Sequence, residues 1–296
     1  DDPKNPYLPP WTRVLSEASQ AGYRAIELGP WGYIPNDVDL VAEELNKNGL
    51  GIVVGTIFHD LVTPENQPSV LKAVDDICKL ITDPKMPKLP VHEGQKWPTP
   101  YLTVMDWGHD ERDFNAGHSD RAPRMDDEQW AAFVKNVRAV CDRANSWGVR
   151  PVIHPHAVTY IEFADEIERI TNDIPYDVCG LCLDTGHLYY SGMDPVTYLK
   201  KYQDKLDYVH FKDVDQKVYE EVLGEHIRFF DGCGKGAMCP IGTGALDYPA
   251  IKQALEDIGY SGYITIEQER DPRNSDTSLR DVKRSVDYLK SVGYHI

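Results

Sequence analysis

Asp184, His210 and Glu267 each close a short run in which every second residue is hydrophobic. Side chains alternate sides along a strand. Val209 and Phe211 therefore turn His210 to the opposite face, together with Tyr208 and Lys212. Leu181 and Leu183 do the same for Asp184, and Ile264 and Ile266 for Glu267. A lone carboxylate on a buried face is costly, so burying several together calls for a cation or basic partners. Two carboxylates and an imidazole are a mixed hard and borderline donor set that suits one divalent ion: Mn2+, Co2+, Fe2+, Mg2+ or Zn2+. The fourth corner is expected from the run Pro151-Val-Ile-His154-Pro-His156-Ala-Val-Thr-Tyr-Ile-Glu162. His154 and His156 share one parity, and Glu162 follows in the loop entering the next helix. Thr159 is a candidate N-cap, so a capping box competes with ligation for Glu162. One of His154 and Glu162 is expected to bind the metal and the other to lie near the substrate. His187, in Asp184-Thr-Gly-His187, is expected to orient the metal site or touch substrate. His59, at another strand tip, is expected to line the pocket.

These residues must be positioned by an alternation of helices and strands. Trp130, Val134, Val137, Cys141 and Ala144 form one apolar helical stripe, started by Asp126-Asp127 and stopped by Gly148. Short β-rich runs are predicted at 25–28, 51–55, 101–105, 149–154, 178–184, 208–211 and 263–267. Strands separated by helices imply a parallel sheet. An open dinucleotide-binding sheet would carry G-x-G-x-x-G after an early strand, and the sequence has none. Polar residues instead close many different strands (Glu27, His59, Asp106, His154, Asp184, His210, Glu267), where (β/α)8 TIM barrels build their active sites. The expectation is a single barrel domain over 1–296, one strand short of eight. The deficit falls before the first helix, 11–22, so the first strand is expected upstream of Asp1 or missing from this chain. The Pro- and Lys-rich segment 84–100 is expected to cover the barrel mouth, and 107–124 is irregular. The glycine-rich stretch 232–244 reads as a flexible active-site loop rather than a phosphate cradle, because G-x-x-x-x-G-K-[ST] is absent.

The chain has 296 residues, with 31 Lys plus Arg against 48 Asp plus Glu and a formal charge of -17. That length supports a large core, and that charge repels phosphate backbones, so nucleic acid is not expected as a partner. No apolar run of about 18 residues suggests a membrane span. The start, Asp1-Asp2-Pro3-Lys4, has no signal-peptide stretch, and a trimmed N-terminus is expected. Cys179-Gly-Leu-Cys182 has the spacing of a zinc or redox site, but residues three apart on a strand face opposite sides. Buried thiols, and a reducing cytoplasmic compartment, are the expectation.

Taken together, 21–35 (Ala21-Gly-Tyr-Arg-Ala-Ile-Glu-Leu-Gly-Pro-Trp-Gly-Tyr-Ile-Pro35), His154-Pro-His-Ala-Val-Thr-Tyr-Ile-Glu162, Leu183-Asp-Thr-Gly-His187, His210-Phe-Lys-Asp213 and Cys239-Pro-Ile-Gly-Thr-Gly244 resemble the xylose-isomerase-like sugar isomerase/epimerase barrels. Within that group the chain is most similar to 2-keto-myo-inositol (inosose) dehydratases. The resemblance runs nearly end to end and implies a divalent metal, commonly manganese or cobalt, at the C-terminal mouth of the barrel. Related epimerases use Glu, Asp, His and Glu as ligands; the last three transfer to Asp184, His210 and Glu267, and His154 stands where the first Glu would be. The implied chemistry is proton removal beside the ketone of a polyol or keto-sugar, followed by loss of water. Glu162 or His154 would be the base, with Glu267 a second candidate, and His156 or His187 the acid. Glu27 and Lys212 would hold hydroxyls, and Trp31, Trp107 or Tyr33 would cover the ring. Reprotonation of the same enediolate would make an epimerase or isomerase, and related barrels also cleave C-glycosides by elimination. A phosphodiesterase of the endonuclease-IV kind would need further His and Asp ligands and a basic groove; a non-catalytic subunit would have no need for Asp184, His210 and Glu267 together. Related barrels often form dimers or tetramers, so the resemblance allows for a homo-oligomer.

Overall fold

The computed structural model describes residues 4–296. The strands are β1 (Ala25–Glu27), β2 (Gly51–His59), β3 (Tyr101–Asp106), β4 (Arg150–Ile153), β5 (Gly180–Asp184), β6 (Leu206–Phe211), β7 (Asp213–Val214), β8 (Met238–Cys239) and β9 (Ile264–Ile266). Seven of them form one parallel sheet in the order β1-β2-β3-β4-β5-β6-β9, and β7 and β8 pair as a separate antiparallel ribbon. These seven are the seven predicted runs, and the architecture is a TIM barrel lacking one stave among the described residues. The gap lies between β1 and β9. Helix Trp11–Ala21, ahead of β1, packs on helix Ser278–Ser291, behind β9, so the ring of helices continues across it.

Alternation along the strands separates two cores. Val54, Tyr101, Val152, Cys182 and Tyr208 cluster inside the barrel, while Ile57, Leu102, Ile153, Leu181, Leu183, Val209 and Phe211 pack outward against the helices. Two residues further along each strand, the inward positions hold Thr56, Thr103, His154, Asp184 and His210. Thus an apolar floor supports a polar upper layer, and that layer is the site. Cys182 belongs to the inner cluster and Cys179 to the outer one. All six cysteines are buried free thiols.

Helix Asp127–Ser146 forms where the stripe predicts, started by a capping box between Asp126 and Gln129; Phe133 and Val140 broaden its buried face. Segment 84–100 does not cover the mouth. It follows a helix and precedes β3, so it lies at the N-terminal ends of the strands. There Lys96 Nζ donates to the carbonyls of Gln203 and Leu206, and Tyr263 Oη donates to Pro90. Trp97 stacks over the buried Arg150 guanidinium at 4.4 Å, with Tyr176 at 4.7 Å, while Arg150 Nε pairs with Asp207 at 2.8 Å. This loop seals the floor of the barrel, the face that serves stability. No helix among the described residues is long and apolar enough to cross a membrane.

Candidate active site

The motif Asp184-Thr-Gly-His187 joins the tip of β5 to helix Thr185–Tyr190, and each of its residues has a physical task. Asp184 Oδ1 caps the helix by accepting the His187 N–H at 2.9 Å, which leaves Oδ2 for the interior. Thr185 Oγ1 accepts the Lys212 N–H at 3.1 Å, fixing β6 beside β5. At Gly186 a Cβ would stand 2.3 Å from Lys212 Cβ, so only glycine lets the two backbones approach this closely.

Ligand atoms of His154, Asp184, His210 and Glu267 all lie within 4.8 Å of one another. His154 Nδ1 donates to the Pro155 carbonyl at 2.9 Å, which leaves the lone pair on Nε2. Burial, and then His210 and His156, hold its pKa well below the usual histidine range, so the neutral, ligating form dominates. Both ring nitrogens of His210 are buried without a well-directed hydrogen bond, although Glu27 Oε1 stands 2.8 Å from Nε2 and Glu267 Oε2 3.1 Å from Nδ1. Burial opposes a charge on His210, but Cys182 and Glu27 outweigh it and raise its pKa well above normal. A proton on His210 offsets part of the negative charge around it. The local charge agrees: among the described residues Asp184, Glu267 and Glu269 share one ammonium, Lys212 Nζ, which lies 3.1 Å from Asp184, 2.6 Å from Glu267 and 3.8 Å from Glu269, while Glu27 lies against His210. Directed donors, orphaned imidazole nitrogens and excess negative charge together fit a divalent metal, whose binding would displace the His210 proton.

A second group adjoins the first. His156, His187 and Glu269 also bring ligand-type atoms within 4.8 Å of one another. The His156 and His187 rings pack against each other, tilted by 41° with centroids 3.7 Å apart, and His156 Nε2 meets Glu269 Oε1 at 3.1 Å. His156 Nδ1 points at the Ala157 carbonyl, so both its nitrogens face acceptors. His187 Nδ1 accepts the Ala157 N–H at 3.3 Å, and its Nε2 stands 3.0 Å from Lys212 Nζ. Glu269 escaped the sequence reading, although Glu267-Gln-Glu269 gives it the parity of Glu267.

The other expected contacts divide. Lys212 is buried among carboxylates rather than presented to substrate hydroxyls. Glu27 accepts from Tyr208 Oη at 2.7 Å and sits against His210. From the tip of β2 it is Phe58 that meets the site, with its ring 5.4 Å from His156 and 5.1 Å from Trp107; His59 has the opposite parity. Trp31 and Tyr33 pack against the outer core. The glycine-rich segment is no cradle. Residues 229–235 are helical, and the amides of Gly242, Gly244 and Leu246 donate to Asp213 at 2.9, 3.0 and 3.1 Å.

Glu162 is outside the ligand cluster, and His154 stands in the position that the two disputed. Glu162 Oε1 accepts from Gly117 N at 2.7 Å and Ser191 Oγ at 3.1 Å, and Oε2 accepts from Val158 N at 3.1 Å. Nor does it cap the helix: Glu166 does, through the amides of Glu162 and Phe163 at 2.9 and 3.0 Å. Burial pushes the Glu162 carboxyl up to about 7, against the pull of Arg112. Arg112 itself is fully buried, bonded to both oxygens of Glu166 at 2.8 and 2.9 Å and flanked by Tyr160 and Phe163. Removing one partner strands a buried charge, so Arg112→Met is expected to cost about 3–5 kcal/mol. The measurement is a urea midpoint at unchanged slope. A loss below about 1 kcal/mol would place this pair with surface ion pairs.

The family model described as xylose isomerase-like TIM barrel matches residues 15–292. An inosose dehydratase of Lacticaseibacillus casei is 34% identical over 264 residues, covering 88% of this chain and 82% of that enzyme. An inosose dehydratase of Geobacillus kaustophilus is 30% identical over 295 residues, covering 96% and 88%. Among solved structures, the IOLI protein with a bound zinc atom superposes with a TM-score of 0.71 at 16% identity, covering 98% of this chain and 96% of that one. The probable 3-DHS dehydratase AsbF from Bacillus anthracis gives 0.68 at 15%, covering 96% and 94%. At such identities the superpositions speak for the fold.

Proposed function

The chain belongs to the xylose isomerase-like TIM barrel family, and on that premise we propose that it is a divalent-metal-dependent dehydratase acting on a keto-inositol or closely similar keto-polyol. The observation that carries this reading is the four-donor cluster of His154, Asp184, His210 and Glu267 beside the His156, His187 and Glu269 group. The relatives named inosose dehydratase support the substrate class.

A divalent ion held by His154, Asp184, His210 and Glu267 would supply Lewis acidity to the ketone oxygen; two carboxylates and two imidazoles suit Mn2+, Co2+, Fe2+, Mg2+ or Zn2+, and the family resemblance points to Mn2+ or Co2+ among them. The residues do the rest. With His154 committed as a donor and Glu162 consumed by backbone amides, the proton beside the ketone falls to Glu267. Its Oε2 meets Lys212 and His210, and its side chain is 39% exposed, the most open of the four. His156, with acceptors at both nitrogens and Glu269 behind it, carries the proton that leaves with the β-hydroxyl. Lys212 and His187 hold these two groups apart, and Phe58 with Trp107 gives an apolar wall for the ring. Six buried thiols support a reducing, cytoplasmic setting.

Proton NMR of the metal-loaded protein with a keto-inositol in D2O tests the reading. Signals of a dehydrated product are expected. Deuterium entering beside the ketone without loss of water would make the site an epimerase. No change across a panel of keto-inositols and keto-sugars, with metal bound, would end the enzymatic reading.

A further inference from the structure

The loop from β4 to helix Ala164–Asp173 is almost entirely buried, an unusual place for irregular backbone. Every amide in it must then find an acceptor. Those of His154, His156 and Thr159 use the carbonyls of Val104, Ile161 and His156. The rest go to side chains: Ala157 to His187 Nδ1, Tyr160 to Asp106, Ile161 to Thr159, and Val158 to Glu162. Val158 stands at φ 78, a left-handed conformation that a β-branched residue adopts only when its surroundings compel it. Its N–H has one acceptor, Glu162 Oε2, and the other oxygen of that carboxylate reaches Gly117 after β3 and Ser191 after β5. One carboxylate thus ties together the loops of three successive staves, and its bond to Val158 falls two residues from His156.

We propose that Glu162 is a positioning residue: its carboxylate compels the left-handed turn at Val158 and so fixes His156 against Glu269 and His187. Two acceptor oxygens are essential to this role. Gln offers one oxygen and one NH2, so in Glu162→Gln either Val158 N–H or Gly117 N–H faces another donor. Burial pushes the Glu162 carboxyl up to about 7, so the experiment is run above that pH, where the carboxylate offers both acceptors. The proposal rests on the dehydratase reading only for its activity arm.

The experiment compares wild type, Glu162→Gln and Glu162→Gln/Val158→Gly at pH 8 in three measurements: kcat and KM on whichever keto-polyol the wild type turns over, metal per chain, and amide hydrogen exchange of 154–163. Glu162→Gln is expected to lower kcat about 10–100-fold, as loss of an orienting partner does, with KM and metal content little changed and exchange of the loop accelerated. Glycine reaches positive φ without strain, so Val158→Gly in the same chain is expected to restore part of kcat. Unchanged kcat and exchange, loss of metal together with activity, or no recovery on adding Val158→Gly would each overturn the proposal. If Glu162→Gln does not fold, Glu162→Asp keeps both acceptors on a shorter arm, and the same readouts apply to it. If the wild type turns over no keto-polyol, the dehydratase reading fails, and the exchange arm still decides whether Glu162 holds the turn.

Discussion

Asp184→Asn is expected to lower kcat/KM at least about 10³-fold, roughly 4 kcal/mol of transition-state stabilisation, while leaving the protein folded. The asymmetry of the aspartate explains why. Oδ1 caps helix Thr185–Tyr190 through the His187 amide, and an asparagine oxygen caps as well as an aspartate oxygen. Oδ2 is the inward atom, 3.1 Å from Lys212 Nζ and 3.7 Å from His210 Nδ1. In Asn that position is an NH2, which cannot ligate a cation and meets the Lys212 ammonium donor to donor. The cap therefore survives while the metal corner is lost. Metal per chain, kcat/KM and the melting temperature should be measured together. Stoichiometric metal with activity within about tenfold of wild type would remove Asp184 from the donor set, and the proposed chemistry with it.

The staves and the inward parity of Asp184, His210 and Glu267 were legible because a half-buried strand writes its two faces into the sequence with period two. His154 and Glu162 could not be separated in that way. What distinguishes them is demand from elsewhere: the amides of Gly117 and Val158 and the hydroxyl of Ser191 claim both Glu162 oxygens, and two of these partners lie on other staves. The glycine-rich segment posed the same difficulty, since its amides close on Asp213, at the far end of another motif. Segment 84–100 is a different case. Its composition suggested a mouth loop, but its place after a helix and before β3 fixes it to the opposite end, and that order was in the sequence all along. Composition describes what a loop is made of; connectivity decides which end of a barrel it occupies.

Lys212→Met is expected to make the stability of the protein depend on its metal. Lys212 is 1% exposed, and its ammonium lies within 4 Å of Asp184, Glu267 and Glu269. Burial opposes its charge, but Asp184 and Glu267 raise its pKa well above the normal lysine value, so the charged form is the one the site holds. Methionine fills a similar volume without the charge and leaves these carboxylates facing one another. In chelator the loss should reach about 3–5 kcal/mol, the usual consequence of stranding buried charge. A divalent ion restores the missing positive charge, so the gap in melting temperature between metal-loaded and chelated protein should widen relative to wild type. Catalysis should not recover with stability. Lys212 Nζ also donates to Glu267 Oε2 at 2.6 Å, and losing the partner that orients the proposed base costs about 10–100-fold in kcat. A chelated Lys212→Met protein as stable as chelated wild type would mean that the carboxylates shed their charge by taking up protons. The four donors would then have no excess charge with which to attract a cation, and the electrostatic case for the metal would fail before any assay of activity.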